Sequence, residues 1–171
     1  TIYTTDLDFA NNPKTFNKSL PREEQVDSFR ICRSHVLFSI GLFYVNPSMI
    51  FQVLRDKPDI IHSIGIRSFQ TFIAAIVSKF KKIPLVISDQ GGLTTHPDIN
   101  NSLINRILYG LQKPLISFIL RQSQKIIVPN QYELRIFQDL NINSTKIEIV
   151  RNGINLEQFD INKKTNFRSK Y

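Results

Sequence analysis

The chain has 171 residues, of which 42% are hydrophobic and 21% are charged. These proportions suit one domain that is long enough to bury a core, and they exclude wholesale disorder. The single cysteine, Cys32, excludes an internal disulfide and fits a reducing compartment. The three histidines lack the i, i+4 spacing of a helical metal site, and no apolar run reaches the roughly 18 residues that a membrane span requires.

The net charge of +8 favours an anionic partner. Charge alone leaves three classes open: nucleic acid, an anionic membrane surface and a phosphorylated small molecule. Residues 102–125 bear on the second class, because apolar residues recur there at helical spacing between basic ones. The basic residues of this segment are Arg106, Lys113, Arg121 and Lys125. Such a helix either lies in the headgroup region of a membrane or packs its apolar stripe on a sheet, and both alternatives stay open.

The amino-terminal part gives the weaker structural signals. Residues 1–5 and 28–35 are candidate strands joined by a polar loop. A helix is predicted to start at Ser48 and to stop near Lys57, because Pro58 disfavours the helical region for the residue before it. The chain begins without an initiator methionine or a signal-peptide pattern, which predicts that it belongs to a longer protein.

Beyond residue 58, short apolar segments alternate with longer helical patterns. The predicted strands are 59–64, 84–88, 125–129 and 146–150, and the predicted helices are 67–82, 102–122 and 131–140. Strands so rich in isoleucine and valine are typical of a parallel sheet that is buried on both faces. The alternation predicts an α/β fold with a doubly wound, mostly parallel sheet. Pro114 is expected to kink or split the second helix.

In open parallel sheets, ligands bind beyond the carboxyl ends of the strands, so residues near those ends are the candidate binding residues. They are His62, Gly65, Arg67, Gln90, Gly91, Gly92 and Asn130. These residue types suit a polyhydroxylated or phosphorylated ligand, and glycine allows backbone N–H groups to approach it closely. None of them is identified as catalytic.

Several of these residues also have purely structural interpretations. His62 could be a core histidine, and the two adjacent glycines could simply make a tight turn. Asn130 and Glu133 resemble a capping box, in which Glu133 reaches back to the N–H of the N-cap residue. Arg67 near a helix start is unfavourable for the helix dipole, which points to an anion contact, although a solvated arginine is the default.

Three segments resemble motifs of the amino-terminal domain of family 4 glycosyltransferases, which have the GT-B fold. Residues 57–62 read KPDIIH, with Gly65 shortly after them; residues 84–92 read PLVISDQGG; residues 147–155 read IEIVRNGIN, with Phe159 close behind. Their order and spacing carry the resemblance over about 100 residues.

The resemblance implies a hexosyltransferase that transfers a sugar from a nucleotide-sugar donor to a glycan or lipid-linked acceptor with retention of configuration. Neither a metal nor another cofactor is expected, and no nucleic acid partner. Such an enzyme would be cytoplasmic, with peripheral contact at the inner face of the membrane. Gln90 stands where the family often has histidine, and glutamine cannot act as a base near neutral pH.

The same resemblance implies a division of the chain and of its parent protein. Residues 1–154 would form the acceptor-side domain, whose first strand and glycine-rich loop would lie upstream of residue 1. Residues 155–171 would begin the linker to a second, donor-binding domain. The chain is therefore expected to be inactive alone.

The alternative function is a non-catalytic, basic α/β module that binds nucleic acid or a nucleotide. It predicts aromatic and basic residues interleaved on one face. The phenylalanines of the helical segments are instead predicted to be core residues: Phe69, Phe72, Phe80, Phe118 and Phe137.

Overall fold

The computed structural model describes residues 1–7, 16–40, 43–93, 103–140 and 142–153. Its strands are β1 Ile2–Thr5, β2 Glu23–Val26, β3 Phe29–Ser34, β4 Phe38–Ile40, β5 Phe43–Val45, β6 Ile61–Ile64, β7 Leu85–Ser88, β8 Lys125–Val128 and β9 Ile147–Ile149. Its helices are α1 Met49–Asp56, α2 Phe69–Lys81, α3 Leu103–Gln122 and α4 Gln131–Asp139, and a 3₁₀ turn spans Ser144–Lys146.

The central feature is a parallel sheet of β6, β7, β8 and β9, which lie side by side in chain order. Helices α2, α3 and α4 connect consecutive strands of this sheet. The predicted alternation of strand and helix is confirmed, and the architecture is Rossmann-like α/β.

The main core lies between this sheet and its helices. Leu85, Ile87, Ile126 and Val128 are fully buried because alternate residues of β7 and β8 point toward the helices. Residues of α3 and α4 complete the cluster, among them Ile119, Leu120 and Phe137. Of the two alternatives for segment 102–125, its described apolar side chains therefore follow the second, in which the stripe packs on the sheet.

Pro114 was expected to kink or to split this helix. Helix α3 runs through Pro114 without a break, so the splitting half of the expectation is wrong. The structure does not describe the side chains in the amino-terminal part of the predicted apolar stripe, residues 103–109 and 111. None of the helices in the described ranges combines the length and the apolar character needed to cross a membrane.

A second, smaller sheet has the order β1-β3-β2, with β1 parallel and β2 antiparallel to β3. The strand predictions for β1 and β3 are confirmed. Strand β2 and the hairpin of β4 and β5 were not predicted. Glu24 of β2 forms an ion pair with Arg33 of β3, at 2.6 Å between the carboxylate and the guanidinium.

Helix α1 joins the two sheets. It begins at Met49 and ends as predicted, with Lys57 in the left-handed conformation at φ 45°. Met49 and Val53 of α1 are buried in a cluster to which Tyr3 of β1 and Ile61 of β6 both contribute. The Tyr3 hydroxyl also donates to Asp56 at 2.6 Å, at the carboxyl end of α1.

At the opposite end of α1, the buried Asn46 connects the two sheets by hydrogen bonds. Its Nδ2 donates to Ser34 Oγ at 2.5 Å, and its Oδ1 accepts from Gln70 Nε2 at 2.6 Å. Ser34 is the last residue of β3, whereas Gln70 lies at the start of α2, just after β6. The carboxyl ends of β3 and β6 therefore lie at the same edge of the molecule.

Candidate ligand-binding site at the carboxyl edge of the sheet

The first loop of the site follows β6 and is shaped by Gly65. This residue has φ +83°, a conformation that side chains with a Cβ rarely adopt. Its N–H donates to Ser88 O at 2.9 Å, and its carbonyl accepts from Thr71 Oγ1 at 2.7 Å. The loop is thus held by both the neighbouring strand and the first turn of α2.

The same loop places Arg67 at the amino-terminal end of α2. The N-cap is Ser68, whose hydroxyl accepts from the Thr71 N–H at 3.0 Å. The Arg67 guanidinium donates to Leu93 O at 3.5 Å, in the loop after β7. A guanidinium beside a helix amino terminus makes a region that favours negative charge, because both contribute positive potential.

The second loop follows β7 and is organised around Asp89, which is 1% exposed. Its Oδ1 accepts from the Ile66 N–H at 3.4 Å, which ties this loop to the first. A Cβ on Gly92 would lie less than 3.0 Å from the same oxygen, so glycine is required there while Asp89 keeps its position. Burial raises the pKa of Asp89 and the Glu133 carboxylate adds to this, while backbone N–H groups and Arg67 act against it.

The third element is the start of α4. Asn130 caps this helix as predicted, accepting from the Glu133 N–H at 2.9 Å. The second half of the capping-box prediction is wrong, because the Glu133 carboxylate instead accepts from the Gly91 N–H at 2.9 Å. Gly91 has φ +82°, so the predicted tight turn is present, and Glu133 fixes it.

The structure brings together five of the predicted residues at this edge: Gly65, Arg67, Gly91, Gly92 and Asn130. Gln90 is exposed in the same loop as the two glycines.

His62 lies elsewhere. It is inside β6 rather than after it, it is exposed, and it pairs in register with Val86, on the face away from the buried Leu85 and Ile87. Its Nε2 is 2.7 Å from Ser88 Oγ. The alternative that His62 is a core histidine is therefore wrong.

Two acidic groups hold the site together, and sequence analysis gave neither a role in doing so. Asp89 was visible as a carboxylate directly after a strand, and Glu133 as part of a helix cap. Their links to Ile66 and Gly91 depend on how neighbouring loops pack, for which the sequence carries no local signal. Within the part of the chain that the structure describes, no three histidine, cysteine, aspartate or glutamate side chains group as metal ligands.

The loops after β6 and β7 and the start of α4 form a polar cradle at the carboxyl edge of the parallel sheet. Parallel strands joined by crossover helices, with such loops at this edge, define a Rossmann-like α/β domain, a class in which ligands bind beyond the carboxyl ends of the strands. Residues 14–158, most of the chain, match the family model described as Glycosyltransferase Family 4. The chain therefore belongs to glycosyltransferase family 4, as the resemblance predicted. No curated protein matches it.

The aromatic side chains bear on the nucleic-acid alternative. Phe137 is fully buried, and Phe72 packs between Phe69 and Phe118, with ring centroids 6.2 and 5.9 Å away. Phe137 is a core residue as predicted, and Phe69, Phe72 and Phe118 are partly buried against the core. Phe80 is 76% exposed, so the core prediction is wrong for it. Stacking of several bases would require exposed rings on one surface. The exposed rings of the described residues lie on five separate elements: Phe29, Phe38, Phe51, Phe80 and Tyr132.

Proposed function

We propose that this domain holds the acceptor in a sugar transfer from a nucleotide-sugar donor, with retention of configuration at the anomeric carbon. The observation that carries the proposal is the cradle at the carboxyl edge, in which hydrogen bonds of Gly65, Asp89 and Glu133 tie the loops after β6 and β7 to neighbouring elements. A polyhydroxylated ligand needs hydrogen-bonding groups held in fixed positions, and cross-linked loops hold such groups in place.

The electrostatics of the cradle suit an acceptor or donor that carries phosphate. Arg67 and the amino terminus of α2 provide positive potential, and the net charge of +8 supplies a favourable long-range field. In transfer from a nucleotide sugar, negative charge develops on the departing diphosphate. Positive groups that already face that position stabilise the transition state without further rearrangement. The domain acts by positioning and electrostatics, and the reaction needs neither a metal nor another cofactor.

The proposal assigns the donor to a second domain that follows Asn155 in the parent protein, and a first strand and glycine-rich loop to a segment before residue 1. The 171-residue chain alone would then have no transferase activity, because donor and acceptor are held together only across the cleft between two domains.

The direct test uses the protein made from its complete reading frame. Radiolabelled nucleotide hexoses are incubated with glycan and lipid-linked acceptors, with and without EDTA. We expect transfer that EDTA does not affect, to a product in which NMR shows the anomeric configuration of the donor. Absence of transfer from every donor, or a product of inverted configuration, would overturn the proposal, and loss of activity with EDTA would overturn its metal-free part.

The role of the cradle is tested by Arg67→Gln. A hydrogen bond to a charged group contributes about 1.5–3 kcal/mol, so the loss of kcat/KM should be about 10- to 100-fold. Arg135→Gln is the matched control, since Arg135 is an exposed arginine of α4 outside the cradle. If both variants keep the wild-type kcat/KM, Arg67 does not bind substrate.

A peripheral contact with the inner face of an anionic membrane is part of the proposal. Because the described apolar side chains of segment 102–125 pack on the sheet, the contact rests on the basic residues of this segment. Arg121, at the end of α3, is exposed, and basic residues recur along the segment. Cosedimentation with vesicles should be stronger for anionic than for neutral lipid, and the triple reversal of Arg106, Lys113 and Arg121 to glutamate should weaken it. Equal binding to both vesicle types would remove the membrane from the proposal.

A further inference from the structure

A second polar centre lies at the ends of β1 and β3. Asp6 follows β1 and is completely buried, with 0% exposure. Its Oδ1 accepts from the Val36 N–H at 3.1 Å, and its Oδ2 lies 2.5 Å from His35 Nδ1 and 3.4 Å from Arg22 Nη1. A buried carboxylate with three hydrogen-bond partners is held in one position and orientation.

This centre lies at the same edge of the molecule as the cradle. His35 directly follows Ser34, the residue that Asn46 links to Gln70. Gln70 belongs to the first turn of α2, only three residues after Arg67. His35 and the cradle therefore lie at the same edge of the molecule, where Asn46 connects the residue before His35 to the first turn of α2.

The contact with Asp6 fixes the orientation of the His35 ring. Burial raises the pKa of Asp6, but hydrogen bonds from His35 and Val36 outweigh it, so the pKa lies below its ordinary value and the carboxylate is ionised near neutral pH. An ionised carboxylate accepts a hydrogen bond from Nδ1–H, which leaves Nε2 of a neutral ring as an acceptor on the far side. The His35 side chain is 30% exposed, and among the described residues no hydrogen-bond partner is found for Nε2.

We propose that His35 is a substrate-binding residue whose Nε2 accepts a hydrogen bond from a hydroxyl group of the sugar acceptor, with Asp6 as its positioning residue. The inference rests on the proposed function and extends it to the small sheet, where sequence analysis placed no binding residue. A hydroxyl fits better than an anion, because Asp6 supplies negative charge directly behind the ring.

The competing explanation is that His35 only connects β1 to β3. Two amide substitutions separate these roles. In His35→Asn the amide takes the place of Nδ1 and keeps the bond to Asp6, but nothing occupies the position of Nε2. In His35→Gln the longer side chain reaches the position of Nε2 and loses the bond to Asp6. Asp27→Asn is the control, since Asp27 is exposed and has φ 51°, which asparagine tolerates.

In the transfer assay with the protein from the complete reading frame, His35→Asn should raise the acceptor KM about 3- to 10-fold, the worth of one hydrogen bond, with kcat and melting temperature nearly unchanged. His35→Gln should lower the melting temperature and raise KM less. Asp6→Asn should raise KM like His35→Asn. If His35→Asn keeps the wild-type KM, His35 is only a connection between strands, and the inference is wrong while sugar transfer stands.

A binding measurement separates failure of this inference from failure of the proposed function. The protein is labelled with ¹⁵N-histidine and titrated with methyl glucoside, methyl mannoside and methyl galactoside, and the His35 signals are assigned from their absence in His35→Asn. We expect the Nδ1–H tautomer, and a shift of the Nε2 resonance with at least one glycoside. This result would support the site even if no donor is turned over, whereas unchanged Nε2 signals with all three probes would overturn it.

Discussion

Replacing Gly92 with alanine tests the packing on which the cradle depends. The added Cβ would lie less than 3.0 Å from Asp89 Oδ1 and 3.3 Å from Ile66 Cγ2. Asp89 is 1% exposed and Ile66 is fully buried, so neither neighbour can move into solvent. Overpacking a well-filled site costs about 1–3 kcal/mol, and the Asp89 bond to the Ile66 N–H would be disturbed as well.

The free energy of unfolding is measured by urea titration of the protein made from its complete reading frame. Gly92→Ala should lower it by about 1–3 kcal/mol. Gly153→Ala is the control, since its Cβ would meet nothing within 4 Å, and it should change stability by less than about 0.5 kcal/mol.

A double-mutant cycle assigns the loss to the proposed contact. Asp89→Ala removes the oxygen that the new methyl group would strike, so Gly92→Ala should be less destabilising in the Asp89→Ala background than in the wild type. Coupling between contacting residues is about 0.5–3 kcal/mol. Equal effects of Gly92→Ala in both backgrounds, or no loss in either, would refute the close approach of these two residues.

Three further predictions concern stability. Gly65→Ala should destabilise the protein by about 1–2 kcal/mol in the same titration, because Gly65 has φ +83°, which alanine adopts only with strain. A Cβ there would meet no atom within 4 Å, so the loss would come from the backbone alone, and an unchanged urea midpoint would contradict this conformation. Asn130→Ala should lose about 1 kcal/mol and Asn130→Asp much less, since aspartate also caps helices, and equal losses would argue against the cap. The pKa of Asp6 is lower folded than unfolded, so its stabilisation is complete above the ordinary carboxyl value and is lost as the pH falls through the folded value. Melting temperatures below pH 4 should therefore fall less steeply for Asp6→Asn than for the wild type, and parallel curves would contradict the lowered pKa.

The parallel sheet could be predicted because its strands carry an unmistakable local signal. Isoleucine, leucine and valine recur in each of these short segments, and β6, β7 and β8 are each followed by a helical pattern. Burial on both faces was expected from this composition, whereas in the structure burial alternates along the strands and one face is partly exposed. Strand β2 lacks this signal. Its sequence, Glu-Glu-Gln-Val, is polar, and it forms because it pairs with β3 and because Glu24 meets Arg33 across the pair. Pairing between distant segments leaves no pattern in either one.

The location of the site could be predicted from the sequence, but the hydrogen bonds that hold it together could not. The rule that ligands bind beyond parallel strands identified the loops after β6 and β7, and Gly65 and Gly91 do have positive φ. His62 was expected beyond the strand, although the predicted strand 59–64 already included it, and in the structure it lies within β6. The Asp6–His35 pair was not predicted, since its members lie 29 residues apart and meet only because β1 and β3 are adjacent.

These connections bear on how the site could act. Each loop of the cradle is held by a group from another loop or strand: Gly65 by Ser88, Asp89 by the N–H of Ile66, and Gly91 by Glu133. All three bonds join groups of the protein itself, so folding positions these parts of the loops. A site that is already in place does not lose binding energy to ordering its own loops, and more of that energy remains for orienting the acceptor. Substitutions at the supporting groups should therefore reduce transfer even though these groups need not touch the sugar.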